Sequence, residues 1–140
     1  MKKIELLCFG ELKFKELVEL ESQYMKRLAY FTDLKKTILK DVKIKDEKQR
    51  KEAEAKLVQN HLKPGDHLVA LDERGRQVSS ESFSRWLDER FSFHSGKLVF
   101  LIGGHAGISA SLNPQIREKI SFSKMTFPHD LFRVFFLEQL

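Results

Sequence analysis

Lys97-Leu98-Val99-Phe100-Leu101-Ile102-Gly103-Gly104-His105-Ala106-Gly107 is the stretch that decides the fold. Leu98 to Ile102 is an unbroken apolar run of strand length with no polar alternation, the pattern of a strand covered on both faces, as in a parallel sheet. The glycines that follow predict a tight turn over Gly103 to Gly107. In parallel α/β sheets, ligands bind where loops leave the carboxyl ends of strands. Glycines at such a place let backbone N–H groups approach a ligand closely. A plain structural turn is the other reading, since glycine pairs are common in turns.

Outward from this point, strands and helices alternate. Toward the N-terminus, Ser79 or Ser80 predicts the cap of a helix with Phe83, Trp86, Leu87 and Phe91 on its inner side. His67 to Leu71 reads as a compact strand with a turn at Gly75. Asp46 caps a highly charged helix that runs to about His61 and is closed by Lys63-Pro64-Gly65. Strand character surrounds Thr37 and Leu39, and Phe14, Leu17, Val18, Met25 and Leu28 recur at helical spacing. Lys3 to Phe9, stopped by Gly10, reads as the first strand; Glu5 interrupts any signal-peptide pattern.

Toward the C-terminus, Asn113-Pro114 predicts a helix start, with the helix continuing to about Ile120. Ser121 to Thr126 alternates small polar with larger apolar residues and reads as a strand broken by Pro128. Asp130 opens a last helix carrying Leu131, Phe132, Val134, Phe135, Phe136, Leu137 and Leu140 over more than one face. Burial within the monomer explains that distribution, and so does packing against a second copy. Five strands alternating with five helices imply an α/β fold, a mainly parallel sheet with helices on both faces, in a single domain over 1–140.

The composition, 41% hydrophobic and 32% charged, is that of a soluble globular chain, and no segment has the roughly 20 apolar residues of a membrane span. No membrane association is expected. Cys8 is the only cysteine, so no intrachain disulfide or thiolate cluster can form, and a cytoplasmic location fits. Of the net charge of +5, Lys35 to Lys56 holds +4, from nine basic and five acidic residues. Such a stretch suits a polyanionic partner or a solvated helix face.

Known ligand motifs narrow the chemistry by exclusion. Gly107-Ile108-Ser109 lacks the lysine of a Walker loop, the glycine spacing and following residues do not make a dinucleotide fingerprint, and Gly107 to Ser111 is not a nucleophile elbow. His61, His67, His94, His105 and His129 form no metal motif, so no metal is expected. What the residues leave is a ligand-facing glycine turn at Gly103 to Gly107, with a plain structural turn still open; His105 and His129 fall in the loops expected to face the ligand, a satisfied loop histidine being the other reading for each.

Those residues are specific in combination. Leu98 to Gly104, followed by Ser121-Phe122-Ser123-Lys124-Met125-Thr126-Phe127-Pro128-His129, Arg133-Val134 and Glu138-Gln139, resembles the ribosomal RNA large-subunit methyltransferase H family of the SPOUT class. The resemblance runs the whole chain, through Lys3 to Gly10, Leu71-Asp72-Glu73 and Ser79-Ser80-Glu81. It implies a C-terminal trefoil knot, a homodimer, and transfer of a methyl group from S-adenosylmethionine to N3 of a pseudouridine in 23S rRNA of the assembled ribosome. Carried onto matching positions, it implies cofactor contacts at Leu71, Gly103, Phe122, Ser123, Lys124, Met125, Thr126 and Phe127. For catalysis it directs attention to Arg133, as a holder of phosphate or developing negative charge, and to Glu138 and His129, as aids to proton removal.

The family's chains continue past the position of Leu140 into a tail with a Tyr-His pair that completes the site across the dimer. That pair is absent here, which leaves two expectations: a chain that continues in the natural protein, or a cofactor- and ribosome-binding homologue without efficient catalysis.

Overall fold

The apolar run forms the middle strand of a five-stranded sheet and is buried along its whole length. The computed structural model describes residues 2–104 and 107–140; His105 and Ala106, within the glycine turn, lie outside the described residues. In chain order the elements are β1 (Lys3–Phe9), α1 (Lys15–Leu28), β2 (Asp33–Leu39), α2 (Glu47–His61), β3 (His67–Gln77), α3 (Ser80–Phe93), β4 (Leu98–Ile102), a 3-10 turn (Ala110–Leu112), β5 (Ile116–Ser121) and α4 (His129–Gln139). The strand order is β2-β1-β4-β3-β5 and every pairing is parallel.

Because side chains alternate across a strand, the sheet feeds two cores. On one face Ile4, Leu6, Cys8, Val69, Phe100 and Ile102 meet α1, α3 and α4; on the other Leu7, Phe9, Leu68, Val99 and Leu101 meet α2 and Leu112. The α/β architecture with helices on both faces is therefore present. Burial pushes the Cys8 thiol up to about 11, so it behaves as a small hydrophobe.

Local signals fixed most boundaries. The Asp46 carboxylate accepts from the Gln49 amide at 2.9 Å, and Ser79 and Ser82 form a reciprocal capping box. Three expectations are corrected. The segment from Asn113 to Ile120 is not a helix: Asn113 ends the 3-10 turn, and Ile116 to Ser121 pairs with β3, its alternation of half-buried and exposed residues serving a strand. The strand expected at Ser121 to Thr126 is thereby displaced toward the N-terminus, leaving Phe122 to Pro128 irregular. Gly75 does not turn the chain; β3 runs on to Gln77, and Gly75 lies so close to β5 that an added Cβ would sit 2.6 Å from the Lys119 carbonyl carbon.

Two carboxylates stabilise the sheet from inside. Glu5, fully buried in β1, accepts from Lys97 at 2.8 Å and from Thr37, and pairs with His61 at 2.8 Å. Glu118 on β5 accepts from Trp86 at 2.9 Å and Arg90 at 2.6 Å, and pairs with His67 at 2.9 Å. Burial alone would push both carboxyls up, but these partners hold each down at about 2. A glutamate lowered from 4.5 contributes stability that is present above that pH and lost as pH falls toward 2. Urea unfolding is therefore expected to show stability declining below about pH 5, and Glu118→Gln to cost about 2–4 kcal/mol at neutral pH while losing less on acidification. Equal acid sensitivity in the wild type and the variant would contradict this account.

Candidate functional site

Parallel strands bring all their carboxyl ends to one edge, and there the ends of β1, β3 and β4 open a cleft of about 1450 Å³. That exceeds the roughly 300–1,000 Å³ of a site for one small ligand. Its two walls differ. Leu71, Phe122, Met125, Phe127 and Phe132 supply apolar surface on one side, while Lys43, Arg50 and Lys51, with Asp41, line the side next to α2.

Gly103, Gly104 and Gly107 line the cleft with backbone. Gly107 has φ +88°, a conformation closed to most residues, and its amide donates to the Gly104 carbonyl at 3.0 Å. At Gly103 an added Cβ would sit 2.7 Å from Ile108 Cγ1, so the backbone there lies bare against its neighbours.

The segment from Phe122 to Pro128 is fixed at both ends by aromatic rings. Phe122 meets Phe83 edge-on at 4.9 Å and stacks on Phe136 at 5.8 Å; Phe127 stacks on Phe132 and Phe135. Between them the Ser121 hydroxyl donates to the Ser123 carbonyl at 2.8 Å and the Met125 amide to the Ser123 hydroxyl at 3.0 Å. Thr126 donates to Glu73 at 2.7 Å, tying the segment across the cleft to β3. The segment belongs to no strand, and Phe122, Ser123 and Met125 to Pro128 line the cleft.

Leu71, Gly103, Phe122, Ser123, Met125, Thr126 and Phe127 all line the cleft; Lys124 is exposed and is not among the lining residues. His129 also lines it, paired with Asp130 at 3.4 Å. Arg133 stands behind the wall, 2% exposed: its Nε donates to Glu21 at 2.7 Å and its Nη1 to the carbonyl of Gly10, a cleft residue, at 3.0 Å. Lys36 completes the group by donating to Glu21. Glu138 is exposed near the end of α4, where it accepts from Gln139.

Sequence reasoning did not select Asp72, Arg74 or Arg50, all of which line the cleft. Asp72 accepts from the Arg74 amide at 3.0 Å and from its guanidinium, bonds that outweigh burial and hold its carboxyl below the usual range. Asp72 and Arg74 are placed by how far β3 extends and Arg50 by where α2 packs, neither of which a local pattern announces.

Residues 1–140 match the family model described as "Predicted SPOUT methyltransferase". The chain belongs to the SPOUT methyltransferase family. Three similar proteins carry the name ribosomal RNA large subunit methyltransferase H. That of Porphyromonas gingivalis is 36% identical over 99% of this chain and 90% of its own. The protein of Christiangramia forsetii is 40% identical over 98% and 89%, and that of Parabacteroides distasonis 38% identical over 99% and 90%. Among the described residues of this SPOUT chain, no group of three or more His, Cys, Asp or Glu could hold a metal ion, and no helix is long and apolar enough to cross a membrane.

Two substitutions test how the site is supported. Gly103→Val forces a side chain into Ile108 and is expected to lower stability by about 1–3 kcal/mol, read from thermal unfolding. Arg133→Met leaves Glu21 buried with Lys36 as its remaining cation and is expected to cost about 3–5 kcal/mol in urea unfolding. Adding Glu21→Gln to Arg133→Met should recover part of that loss. Failure to recover any would contradict the pairing.

Proposed function

We propose that the chain methylates N3 of a pseudouridine in 23S rRNA of the assembled ribosome, using S-adenosylmethionine, and does so as a cytoplasmic homodimer. The observation that carries this reading is the two-sided cleft: a bare-backbone, apolar half beside a cationic half, in a SPOUT chain whose relatives are named as rRNA methyltransferases. The volume accommodates a cofactor and part of a second reactant.

The apolar half fits an adenosine-bearing methyl donor. Gly103 lines the cleft with backbone alone, the bent segment from Phe122 to Phe127 offers peptide groups to an adenine edge, and Leu71, Phe122, Met125 and Phe127 offer apolar walls. When bound, S-adenosylmethionine supplies a methyl group already activated on a sulfonium. The protein's tasks are then alignment and removal of the N3 proton. We assign proton removal to His129, which lines the cleft, in preference to Glu138, which does not. Arg133 acts from behind, fixing the Gly10 carbonyl at the end of β1. Lys43, Arg50 and Lys51 suit phosphates of a folded RNA.

The dimer rests on an apolar patch. Phe14, at 62% exposure, and Val18 are exposed on or beside α1, which packs on α4, where Leu131 and Phe135 are exposed, and Met125, 72% exposed, lines the cleft. Large exposed hydrophobes so placed mark an association surface. A second copy there also suits the knotted C-terminal topology that the family resemblance implies.

Incubation with 70S ribosomes and labelled cofactor is expected to place label in 23S rRNA as N3-methylpseudouridine, identified by mass spectrometry. His129→Ala should reduce that rate by about 10²-fold or more. Calorimetry should show saturable cofactor binding below about 1 mM. No binding would overturn the reading; binding without label would instead favour a cofactor- and ribosome-binding homologue. In sedimentation, Leu131→Glu with Phe135→Glu should convert a dimer to a monomer.

A further inference from the structure

Under the glycine turn, on the α2 side, is a second cavity of about 10 Å³, bordered by Glu54, Lys51, Gly103, Gly107, Ile108 and Ser109. Glu54 is 3% exposed, and among the described residues neither of its carboxyl oxygens makes a hydrogen bond. Its nearest cation is Arg50, whose Nε stands 3.8 Å from Oε2, too far to bond, and is itself buried without a hydrogen bond. Arg50 reaches instead toward Asp41 at 3.4 Å.

A buried carboxyl without partners is costly, and the neighbouring inward positions of α2 are the apolar Ala55 and Val58. Burial pushes the Glu54 carboxyl up; Arg50 opposes this and Asp41 adds to it. The carboxyl does touch one thing closely. Its Oε2 occupies the space a Cβ on Gly104 would need, so the acid is pressed against the backbone at Gly104, which lines the cleft.

We propose that Glu54 is a positioning residue for the methyl-donor site: it supports the backbone at Gly104 from below, and its unbonded oxygens engage the backbone there when the donor fills the cleft. The inference rests on the methyl-donor reading of that cleft. It accounts for a polar group at an otherwise apolar position, for its unused hydrogen-bonding capacity, and for glycine at 104.

The test compares wild type, Glu54→Ala, Glu54→Gln and Gly104→Ala by three measurements: calorimetric Kd for S-adenosylmethionine, thermal midpoint without ligand, and amide exchange at Gly104 and Gly107. Glu54→Ala is expected to weaken donor binding by about tenfold or more and to speed exchange at both amides, with the midpoint unchanged or raised. Glu54→Gln, which keeps shape and hydrogen-bonding capacity, should bind within about threefold of wild type, and Gly104→Ala, whose methyl meets the carboxyl, should lose binding as Glu54→Ala does. Unchanged binding in Glu54→Ala or in Gly104→Ala overturns the proposal, as does a loss that Glu54→Gln fails to restore. If the wild type itself binds no donor, the cofactor reading fails separately. The exchange data then decide for Glu54, and unchanged exchange in Glu54→Ala refutes its role.

Discussion

Parallel pairing is the constraint from which the other features follow. A strand such as β4, apolar at every position, cannot face water on either side, so helices must cover both faces. Covering them requires crossovers, and crossovers return every strand in the same direction. The loops after β1, β3 and β4 are then forced onto one edge, and their meeting creates the cleft. Nothing in the chemistry of the individual loops has to bring them together.

Among the described residues, buried and half-buried charge stands around that frame in three places with three different characters. Glu5 and Glu118 are saturated by cations and hydrogen bonds near the opposite edge and the β5 flank of the sheet. Glu21 and Arg133 join α1 to α4 behind the cleft. Glu54, beside the glycine turn, has no hydrogen bond among the described residues. The contrast between satisfied and unsatisfied carboxylates separates groups that hold the fold from one that the fold alone does not explain.

Much of this was legible in the residues. The β4 run, the caps at Asp46 and Ser79 and the stop at Lys63-Pro64-Gly65 are local signals, and local geometry obeyed them. Asn113-Pro114 misled because the pair closes a helical turn instead of opening one: Asn113 caps the end of the 3-10 turn, Ser109 caps its start, and Ile116 to Ser121 is claimed by the open edge of β3. The residues bordering the cleft at Gly103 and Phe122 to Phe127 came from a motif, whereas Asp72 and Arg50 entered through the length of β3 and the placement of α2. Arg133 looks like a surface cation on a helix; only its partner Glu21, 112 residues earlier, accounts for its burial.

The order β2-β1-β4-β3-β5 has a temporal side. During synthesis β1, α1 and β2 emerge together and can pair at once, and β3 follows, yet β1 and β3 share no edge. Residues 98 to 102 must arrive and enter between strands already made, with Lys97 reaching Glu5 across 92 positions of chain. Until then the apolar edges of both neighbours stay open, so the nascent chain has a long vulnerable interval in which folding is slow and association with other chains competes.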